Sequence, residues 1–411
     1  MRTVLNGINL IDGTGKDPLQ GAFLAIQDGR LDDLGREEEY RPRDEDKCLQ
    51  CSGLTVLPGL FDVHVHIHPS GHELEETGHP PKYASRLSEL QAVMHLRAHL
   101  EAGFTTIRDV GSENDPIWAL RHATRQGWFP SPRLFACGKL LTTTTGHGTE
   151  YGVDMAWECD GASDLIKAVR RQHFEGADFI KVIASRRSKD HPEGYPSWAV
   201  KELRAAVDEA HALGLKVAAH VSGCPESPAT AVEAGVDSLE HGWSTTEKTF
   251  AMAAKKGIFF IPTLSVDYQL EKLAKEGKWR RSHAEYIRLW GSLEDRFREV
   301  QVAKEQGVRI ACGTDAGNPN TFHGESAFEL EMLVKAGLTP LEAITAATRN
   351  SAMLCSIEKE TGTLEKGKIA DLILLDGNPL ENIQVLRDRT KIKAVFQAGK
   401  QVAGDFGKEC K

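Results

Sequence analysis

After Pro58 the sequence alternates short apolar runs with amphipathic segments, and this alternation restricts the possible folds more than any other feature. The runs have the length of buried strands, and the segments between them, such as residues 197–213, have apolar residues at helical spacing. Successive βα units predict a parallel sheet. Eight units suit a (β/α)8 barrel, although a doubly wound sheet can also hold many units. The eight runs are residues 60–66, 104–110, 133–138, 178–183, 215–220, 237–241, 258–264 and 308–315.

The two ends of the chain have a different pattern, in which short β-like runs are separated by Gly and Asp turns. Neither end has enough strands for a stable sheet of its own. We therefore predict one small β domain to which both ends contribute. The charged stretch 37–47 is expected to be an exposed connection, and the polar stretch 270–305 a solvated helical excursion. The β-like runs are residues 3–10, 22–27, 54–57, 367–375, 392–397 and 400–402.

The composition limits the class of protein. The chain has 411 residues, of which 40% are hydrophobic and 27% charged, and this excludes disordered, collagenous and disulfide-scaffold proteins. The net charge of −9 argues against nucleic acid or an anionic membrane as the main partner. The sequence has neither an apolar run long enough to span a membrane nor the apolar stretch of a secretory signal near its start. Several of the eight cysteines lie in apolar runs, where reduced thiols are usual, so we expect a cytoplasmic protein.

The first apolar run ends in Asp62-Val63-His64-Val65-His66. Residues two apart on a strand point to the same face, so both imidazoles lie together. Neutral imidazoles suit zinc, and they also bind iron, nickel or manganese. The pair alone is a weak signal, because surface histidines show the same spacing. His68 extends the pattern but follows the strand, where a solvated side chain is the alternative.

Four other runs contain a residue with metal or acid chemistry. Lys181 lies in an otherwise apolar run, where a lysine must be paired, neutral or modified. His220 and His241 end the fifth and sixth runs, and Asp315 ends the eighth. In a barrel the C-terminal strand ends open into one mouth, so these side chains converge if the barrel prediction is right. Each has an ordinary structural explanation when taken singly, but together they predict a metal site.

This order of HxH, Lys, His, His and Asp along the strands resembles the amidohydrolase superfamily. The likeness also includes residues 56–62 and residues 362–372, so it covers nearly the whole chain. It implies a (β/α)8 TIM barrel with a small composite β-sandwich formed by both termini. The implied domains are the hydrolase barrel at 58–360 and the β-sandwich, which is built from the N-terminal segment 1–57 and the C-terminal segment 361–411.

The resemblance implies two divalent metal ions as cofactors, with zinc preferred. A water between two such ions loses its proton near neutral pH and becomes a nucleophile. Asp315 is then near enough to take the proton of the water and to deliver it to the leaving nitrogen. A lysine ammonium cannot bind a cation, but its carbamate is an anionic ligand with two oxygens. The implied ligands are His64, His66 and Asp315 for one ion, His220 and His241 for the second, and the Lys181 carbamate, formed with CO2, as the bridge.

Further details resemble the prolidase-like group of peptidases and amide hydrolases, whose members cleave dipeptides or N-acyl amino acids, including ochratoxin. These details are Thr145-Gly146-His147-Gly148 and Tyr268. The resemblance implies that His147 and Tyr268 contact the substrate carbonyl or carboxylate; a solvated histidine and a packed aromatic are the alternatives. Arg186 and Arg187 depart from the glycines usual in the group. Either one of them binds an acidic substrate through its guanidinium, or both are solvated.

We predict a binuclear metal-dependent hydrolase that cleaves the amide bond of a dipeptide or N-acyl amino acid, with a metal-bridging hydroxide as nucleophile. A one-metal deaminase or cyclic amidohydrolase of the same superfamily is the alternative, and Lys181 argues against it. A structural protein that has lost its metal ligands is a further alternative. Every ligand position is filled in this sequence, which argues against that alternative. The expected partner is a small amide or dipeptide, with neither nucleic acid nor membrane, and association into a homo-oligomer is compatible with the family.

Overall fold

The computed structural model describes residues 2–72, 84–151, 154–188, 190–279 and 281–406. The chain begins with five strands, which are β1 (Arg2–Leu10), β2 (Leu19–Gln27), β3 (Arg30–Arg36), β4 (Asp46–Gln50) and β5 (Thr55–Pro58). Strand β1 pairs antiparallel with β2 and parallel with β4 and β5. The stretch 37–47 is therefore not wholly an exposed connection: its last two residues begin β4.

Each of the eight predicted apolar runs contains a strand, and the strands of this central region pair in parallel. The short strands β12 and β13 form a separate antiparallel hairpin. The central strands are β6 (Leu60–Val65), β7 (Phe104–Asp109), β8 (Arg133–Ala136), β9 (Leu140–Thr142), β10 (Ala156–Glu158), β11 (Phe179–Ile183), β12 (Ser185–Arg186), β13 (Tyr195–Pro196), β14 (Lys216–Val221), β15 (Ser238–His241), β16 (Phe259–Ile261) and β17 (Arg309–Ile310).

Among the described residues the central strands form two parallel sheets, β6-β7-β8 and β10-β9-β11-β14-β15-β16-β17, and not one closed ring. Backbone hydrogen bonds join the edges of the two sheets. Val63 N donates to Cys312 O across 2.9 Å on one side, and Asp178 N donates to Ala136 O across 2.9 Å on the other. The first junction is irregular because β17 has only two residues and Asp315 beyond it has a φ of 61°.

At least one helix lies between each two successive apolar runs of the central region, as the spacing predicts. Residues 197–213 yield a helix that starts at Val200 and buries Leu203 and Val207. The stretch 270–305 spans parts of three helices. None of the described helices combines the length and apolar character that a membrane crossing requires. The helices are α1 (Ala84–Glu101), α2 (Asn114–Arg125), α3 (Ala162–Glu175), α4 (Val200–Ala212), α5 (Glu226–Ala234), α6 (Glu247–Lys256), α7 (Leu264–Lys275), α8 (His283–Trp290), α9 (Leu293–Glu305), α10 (Ala327–Lys335), α11 (Pro340–Thr345) and α12 (Ser351–Leu354).

The last strands of the chain join the first ones in a single sheet. They are β18 (Leu372–Leu375), β19 (Ile392–Gln397) and β20 (Lys400–Gly404). Strand β18 pairs antiparallel with β5, and the sheet runs β20-β19-β18-β5-β1-β2-β3, with β4 beside β1. The prediction that both ends share one β unit is confirmed as one connected sheet of eight strands. Its division into the layers of a sandwich, and the domain boundaries, stay predictions.

The terminal sheet packs directly on the central region. Leu57 and Leu375 of the terminal sheet lie in the same apolar cluster as Val217 and Leu239 of the central strands. The opposite side of the terminal sheet has its own buried cluster, which contains Leu24. Strand β6, which follows β5 after one residue, is therefore fixed at its start by the terminal sheet, and this positions the histidines at its end.

Candidate active site

Three side chains meet at the C-terminal ends of the first and last central runs. His64 lies in β6, His66 follows that strand directly, and Asp315 follows β17. Asp315 Oδ1 lies 3.5 Å from His64 Nε2 and 3.4 Å from His66 Nε2. One ligand atom from each of the three residues lies within 4.8 Å of the others, close enough to bind one ion.

Hydrogen bonds behind the rings determine which nitrogen of His66 and His241 carries the proton. His66 Nδ1 lies 2.9 Å from the carbonyl oxygen of Gly111, which can only accept. His241 Nδ1 lies 2.8 Å from Thr263 Oγ1, and that hydroxyl donates its own proton to the carbonyl of Pro262. Both rings are therefore protonated on Nδ1, which leaves a lone pair on Nε2. This arrangement is typical of histidines that bind metals.

His64 has the same arrangement in a fully buried position. Its Nδ1 lies 2.6 Å from Glu240 Oε2, and its Nε2 is buried with no hydrogen-bond partner among the described residues. Burial, followed by the charge of Lys181, lowers the pKa of His64 well below the usual range, so the ring is neutral near pH 7. An unpartnered buried nitrogen is costly, and a cation on its lone pair would remove that cost.

His220 and His241 lie side by side on the neighbouring strands β14 and β15. Their ring centroids are 4.6 Å apart, and the ring of His241 is 4.8 Å from that of His64. His220 Nε2 lies 3.2 Å from Ser222 Oγ, so Nδ1 holds the lone pair of His220 when Nε2 donates. The structure thus brings the predicted second pair of ligands next to the first set.

Lys181 lies on β11 among these ligands and is only 2% exposed. It pairs with Ala218, two residues before His220, so Lys181 and His220 share one face of the sheet. Within the described part of the chain, its ammonium has no hydrogen bond or ion pair. Burial lowers the pKa of Lys181 against the attraction of the Glu240 and Asp315 carboxylates, which favours the neutral amine.

Asp315 is a buried carboxyl group with a shifted pKa. Burial raises its pKa to about 6, although the charges of Lys181 and His147 oppose the shift. Asn318 Nδ2 donates a hydrogen bond of 2.7 Å to Asp315 Oδ1. A carboxyl group that titrates this close to neutrality can accept a proton and release it again.

Three residues at these strand ends have a strained backbone. The left-handed region, which residues with a Cβ rarely adopt, is occupied by His241 at a φ of 66°, Thr263 at 52° and Asp315 at 61°. Thr145, in the loop of His147, has a φ of 56°. Such conformations persist only where surrounding contacts hold them, and they are frequent at functional sites.

The two residues predicted to contact substrate are placed differently. The ring centroid of His147 lies 5.0 Å from that of His220, so His147 joins the histidine cluster, and its Nδ1 lies 2.6 Å from Glu150 Oε1. Tyr268 is in the second turn of α7, and its ring packs edge-on against Phe328 at 5.2 Å. That packing matches the alternative of a packed aromatic, and contact of Tyr268 with substrate stays a prediction.

Arg186 and Arg187 point in different directions. Arg186 Nη1 donates to Thr143 Oγ1 across 3.3 Å, on the loop that leads to His147, and its guanidinium stacks over Tyr195. Arg187 Nη2 donates instead to the carbonyl of Leu289 across 2.9 Å. Burial, and then the charge of Arg281, lowers the pKa of Arg187 to about 10.

Two residues of the site were not predicted from the sequence. Glu240 is completely buried behind His64, and Arg108 Nη2 donates to Glu240 Oε1 across 2.7 Å. The same signal that singled out Lys181, a charged residue within an apolar run, is present at both positions. At Glu240 this signal was overlooked, because the polarity of that strand end was attributed to His241, the next residue.

The sequence profile of the amidohydrolase family matches residues 55–402 of the chain. The chain belongs to the amidohydrolase family. This amidohydrolase is 30% identical over 434 aligned positions to the ochratoxinase of Aspergillus niger, an alignment that covers 98% of this chain and 87% of that protein. The predicted family is thereby confirmed.

Solved structures agree with this assignment. A Xaa-Pro dipeptidase with methionine bound in its active site has a TM-score of 0.86 and 29% identity to the amidohydrolase, over 98% of this chain and 99% of that chain. The A. niger ochratoxinase has a TM-score of 0.83 and 28% identity, over 98% and 96% of the two chains. The protein is thus a prolidase-like member of the family, and it is a hydrolase that acts on carbon–nitrogen bonds of amides or peptides.

The donor set fits divalent cations. Histidine lone pairs and a carboxylate are ligands that zinc and the neighbouring divalent metals accept. His64 Nε2 is a buried nitrogen with no hydrogen-bond partner in the described ranges, and it faces the carboxylate of Asp315. The family is metal-dependent in general, and these residues can hold a metal ion.

Proposed function

We propose that this amidohydrolase is a binuclear metal-dependent hydrolase that cleaves the amide bond of a dipeptide or an N-acyl amino acid. In this proposal the metal ligands and the substrate-binding residues lie at the mouth of a (β/α)8 barrel, which is flanked by a composite β-sandwich. The observation that carries the proposal is the buried, unpartnered Lys181 among four histidines. A lone ammonium at that position would repel a cation, whereas its carbamate would attract two.

The carbamate requires a neutral amine, which burial of Lys181 favours. The lysine nitrogen adds to the carbon of CO2 and loses one proton, which gives an anion with two oxygens. In the proposal His64, His66 and Asp315 hold one ion, and His220 and His241 hold the second. When bound, two zinc ions supply an activated water and polarise the scissile carbonyl.

The remaining steps belong to the side chains. Asp315 accepts the proton of the attacking water and delivers it to the leaving nitrogen, as a general base and then a general acid. The ring of His147 lies beside that of His220, and its Nδ1 donates to Glu150. In its doubly protonated form His147 then donates through Nε2 to the carbonyl oxygen as charge develops there. Arg186 binds the substrate carboxylate, since a planar guanidinium pairs well with that group.

The substrate class rests on the relatives, since both an ochratoxinase and a Xaa-Pro dipeptidase are similar over nearly the whole chain. The test is a panel of dipeptides, N-acyl amino acids and their neutral amide analogues, incubated with the zinc-loaded enzyme and assayed for released amine. We expect cleavage of one or more carboxylate-bearing members. Failure to cleave any amide, together with ammonia release from a cyclic amidine, would replace the proposal by a deaminase.

A further inference from the structure

Glu240 is the partner of His64 on the side away from the predicted metal. It is completely buried on β15, and both of its oxygens are used. Oε2 lies 2.6 Å from His64 Nδ1, while Oε1 accepts from Arg108 Nη2 at 2.7 Å and from Ser238 Oγ at 2.5 Å. The carboxylate thus has one side facing a histidine and the other facing two donors.

Arg108 is fixed in the same interior. Its Nε donates to the carbonyl of Val63 across 2.6 Å, and its guanidinium lies 4.9 Å from the ring centroid of Phe179. A guanidinium has donors only and stays charged in proteins. The atom of residue 240 that faces Arg108 must therefore be an acceptor. The negative charge of Glu240 is neutralised by the positive charge of Arg108, so His64 need not be protonated to neutralise it.

A carboxylate can only accept from His64, so the proton of that ring is held on Nδ1. Its lone pair is then on Nε2, the buried atom that lies 3.5 Å from Asp315 Oδ1. We propose that Glu240, oriented by Arg108, is a positioning residue that sets the tautomer of His64 and thereby the metal affinity of the site. This inference rests on the proposed function, because it presupposes that His64 binds a metal.

The substitution Glu240→Gln makes the inference testable, because it keeps the shape and changes only the donor pattern. Arg108 requires the amide oxygen of the new side chain to face it, so the amide NH2 faces His64 Nδ1. The ring must then accept on Nδ1 and carry its proton on Nε2. In that tautomer His64 donates to Asp315 and has no lone pair for a cation.

The first measurement is the zinc dissociation constant, obtained by competition with a chromophoric chelator. Loss of an outer partner of a metal-bound histidine weakens binding about 10- to 100-fold, and we expect E240Q to show at least that loss. The matched control is Glu271→Gln. Glu271 is also a buried glutamate with a cationic partner, Lys275, and a histidine partner, His283, but it lies outside the metal ligands. We expect wild-type zinc affinity in E271Q.

The second measurement reads the tautomer directly. Nitrogen-15 NMR of histidine-labelled, zinc-free protein distinguishes protonated Nδ1 from protonated Nε2, and a His64→Asn variant assigns the signal. We expect His64 to be protonated on Nδ1 in the wild type and on Nε2 in E240Q. A purely structural role of Glu240 would not exchange the two nitrogens.

A double variant tests the contribution of Arg108. In Arg108→Met with Glu240→Gln, the hydroxyl of Ser238 is the remaining partner on that side, and a hydroxyl can accept as well as donate. The amide can then turn its oxygen toward His64, so zinc affinity should return toward the wild-type value. If E240Q alone does not fold, zinc affinity is compared between R108M/E240Q and R108M/E240L. Leucine offers no acceptor, and we expect its variant to bind zinc more weakly.

The outcomes separate the two proposals. Wild-type zinc affinity and tautomer in E240Q, or equal affinity in R108M/E240Q and R108M/E240L, would overturn the role of Glu240 and leave the proposed function intact. A wild-type protein that binds no zinc in the chelator competition would overturn both.

Discussion

Arg186 Nη1 donates a hydrogen bond of 3.3 Å to the hydroxyl of Thr143, at the start of the loop that carries His147. The next residue turns away, since Arg187 binds the carbonyl of Leu289 and stacks over Trp290. Successive side chains on an extended segment alternate in direction, and of the two arginines Arg186 is the one that contacts the loop of His147. Of the two arginines, we therefore expect Arg186 to bind a substrate carboxylate.

Replacement of Arg186 by alanine should raise KM for carboxylate-bearing substrates. Loss of a charge-assisted hydrogen bond costs about 1.5–3 kcal/mol, which corresponds to a fall in kcat/KM of about 10- to 150-fold. Neutral amide analogues should be unaffected, because they never make the contact. Arg187→Ala is the control and should not distinguish the acid from its amide. Equal behaviour of both variants would leave carboxylate binding to His147, Tyr268 or the metal.

Lys181→Ala should lose most of the bound metal and nearly all activity. The variant lacks the side chain that would form the bridging carbamate, and its four neighbouring histidines then share no anionic bridge. Metal content by elemental mass spectrometry and hydrolysis of the best substrate check this. Added short carboxylic acids should restore some of the activity by supplying two oxygens. Wild-type metal content and turnover in this variant would remove the bridging role of Lys181.

Asp315→Asn should separate metal binding from proton transfer. Asparagine keeps an oxygen ligand but cannot accept the proton of the attacking water. We expect a modest fall in metal content and a fall in kcat of about 10²-fold or more, the usual contribution of general acid–base catalysis. The measurement is kcat at matched metal occupancy. Turnover within about twofold of the wild type would exclude Asp315 as the proton carrier.

A buried histidine pair should make stability depend on pH. His99 Nε2 lies 3.0 Å from His323 Nδ1, and His323 Nε2 donates to the carbonyl of Pro69. Burial, with the charges of His95 and Arg389, lowers the pKa of His99 to about 3. The unfolded chain binds that proton near pH 6.5, so stability is complete above about pH 6.5 and declines as the pH falls toward 3.

In a His99→Gln variant this decline should be smaller. Glutamine can still donate to His323 but does not titrate, and one such histidine contributes about 1.4 kcal/mol per pH unit in that window. Between about pH 7.5 and about pH 5, the free energy of unfolding of H99Q should therefore fall by about 2 kcal/mol less than that of the wild type. Exposed His173→Gln is the control. Equal slopes for wild type and H99Q in urea titrations would contradict the account.

The sequence was sufficient for most of the fold because apolar runs and their spacing are local signals. All eight central runs contain strands, and β19 runs from Ile392 to Gln397 as predicted. Strands β3 and β4 were missed because they are polar: Asp32 and Asp33 lie within β3, and Lys47 within β4. These two strands are formed through hydrogen bonds to neighbouring strands, and no local sequence pattern predicts that pairing.

The candidate ligand residues stand out in the sequence for a similar reason, since a histidine or lysine within or at the end of an apolar run is conspicuous. The direction of each side chain was not predictable. Arg186 and Arg187 diverge because of the hairpin that β12 and β13 form. Strands of two residues are too short to be predicted from a sequence pattern. His68 is half-buried, and its Nδ1 lies 3.1 Å from Ser112 Oγ. The sequence suggested a solvated side chain as the alternative, because a contact with a loop so distant in the chain leaves no local signal.

The number of zinc ions bound per chain tests the central claim most directly. The protein is reconstituted with zinc and bicarbonate, freed of excess metal by gel filtration, and analysed by elemental mass spectrometry. The account predicts about two ions per chain, because a bridging lysine carbamate serves a pair of cations. About one ion per chain in the active enzyme would contradict it and would favour a one-metal hydrolase or deaminase.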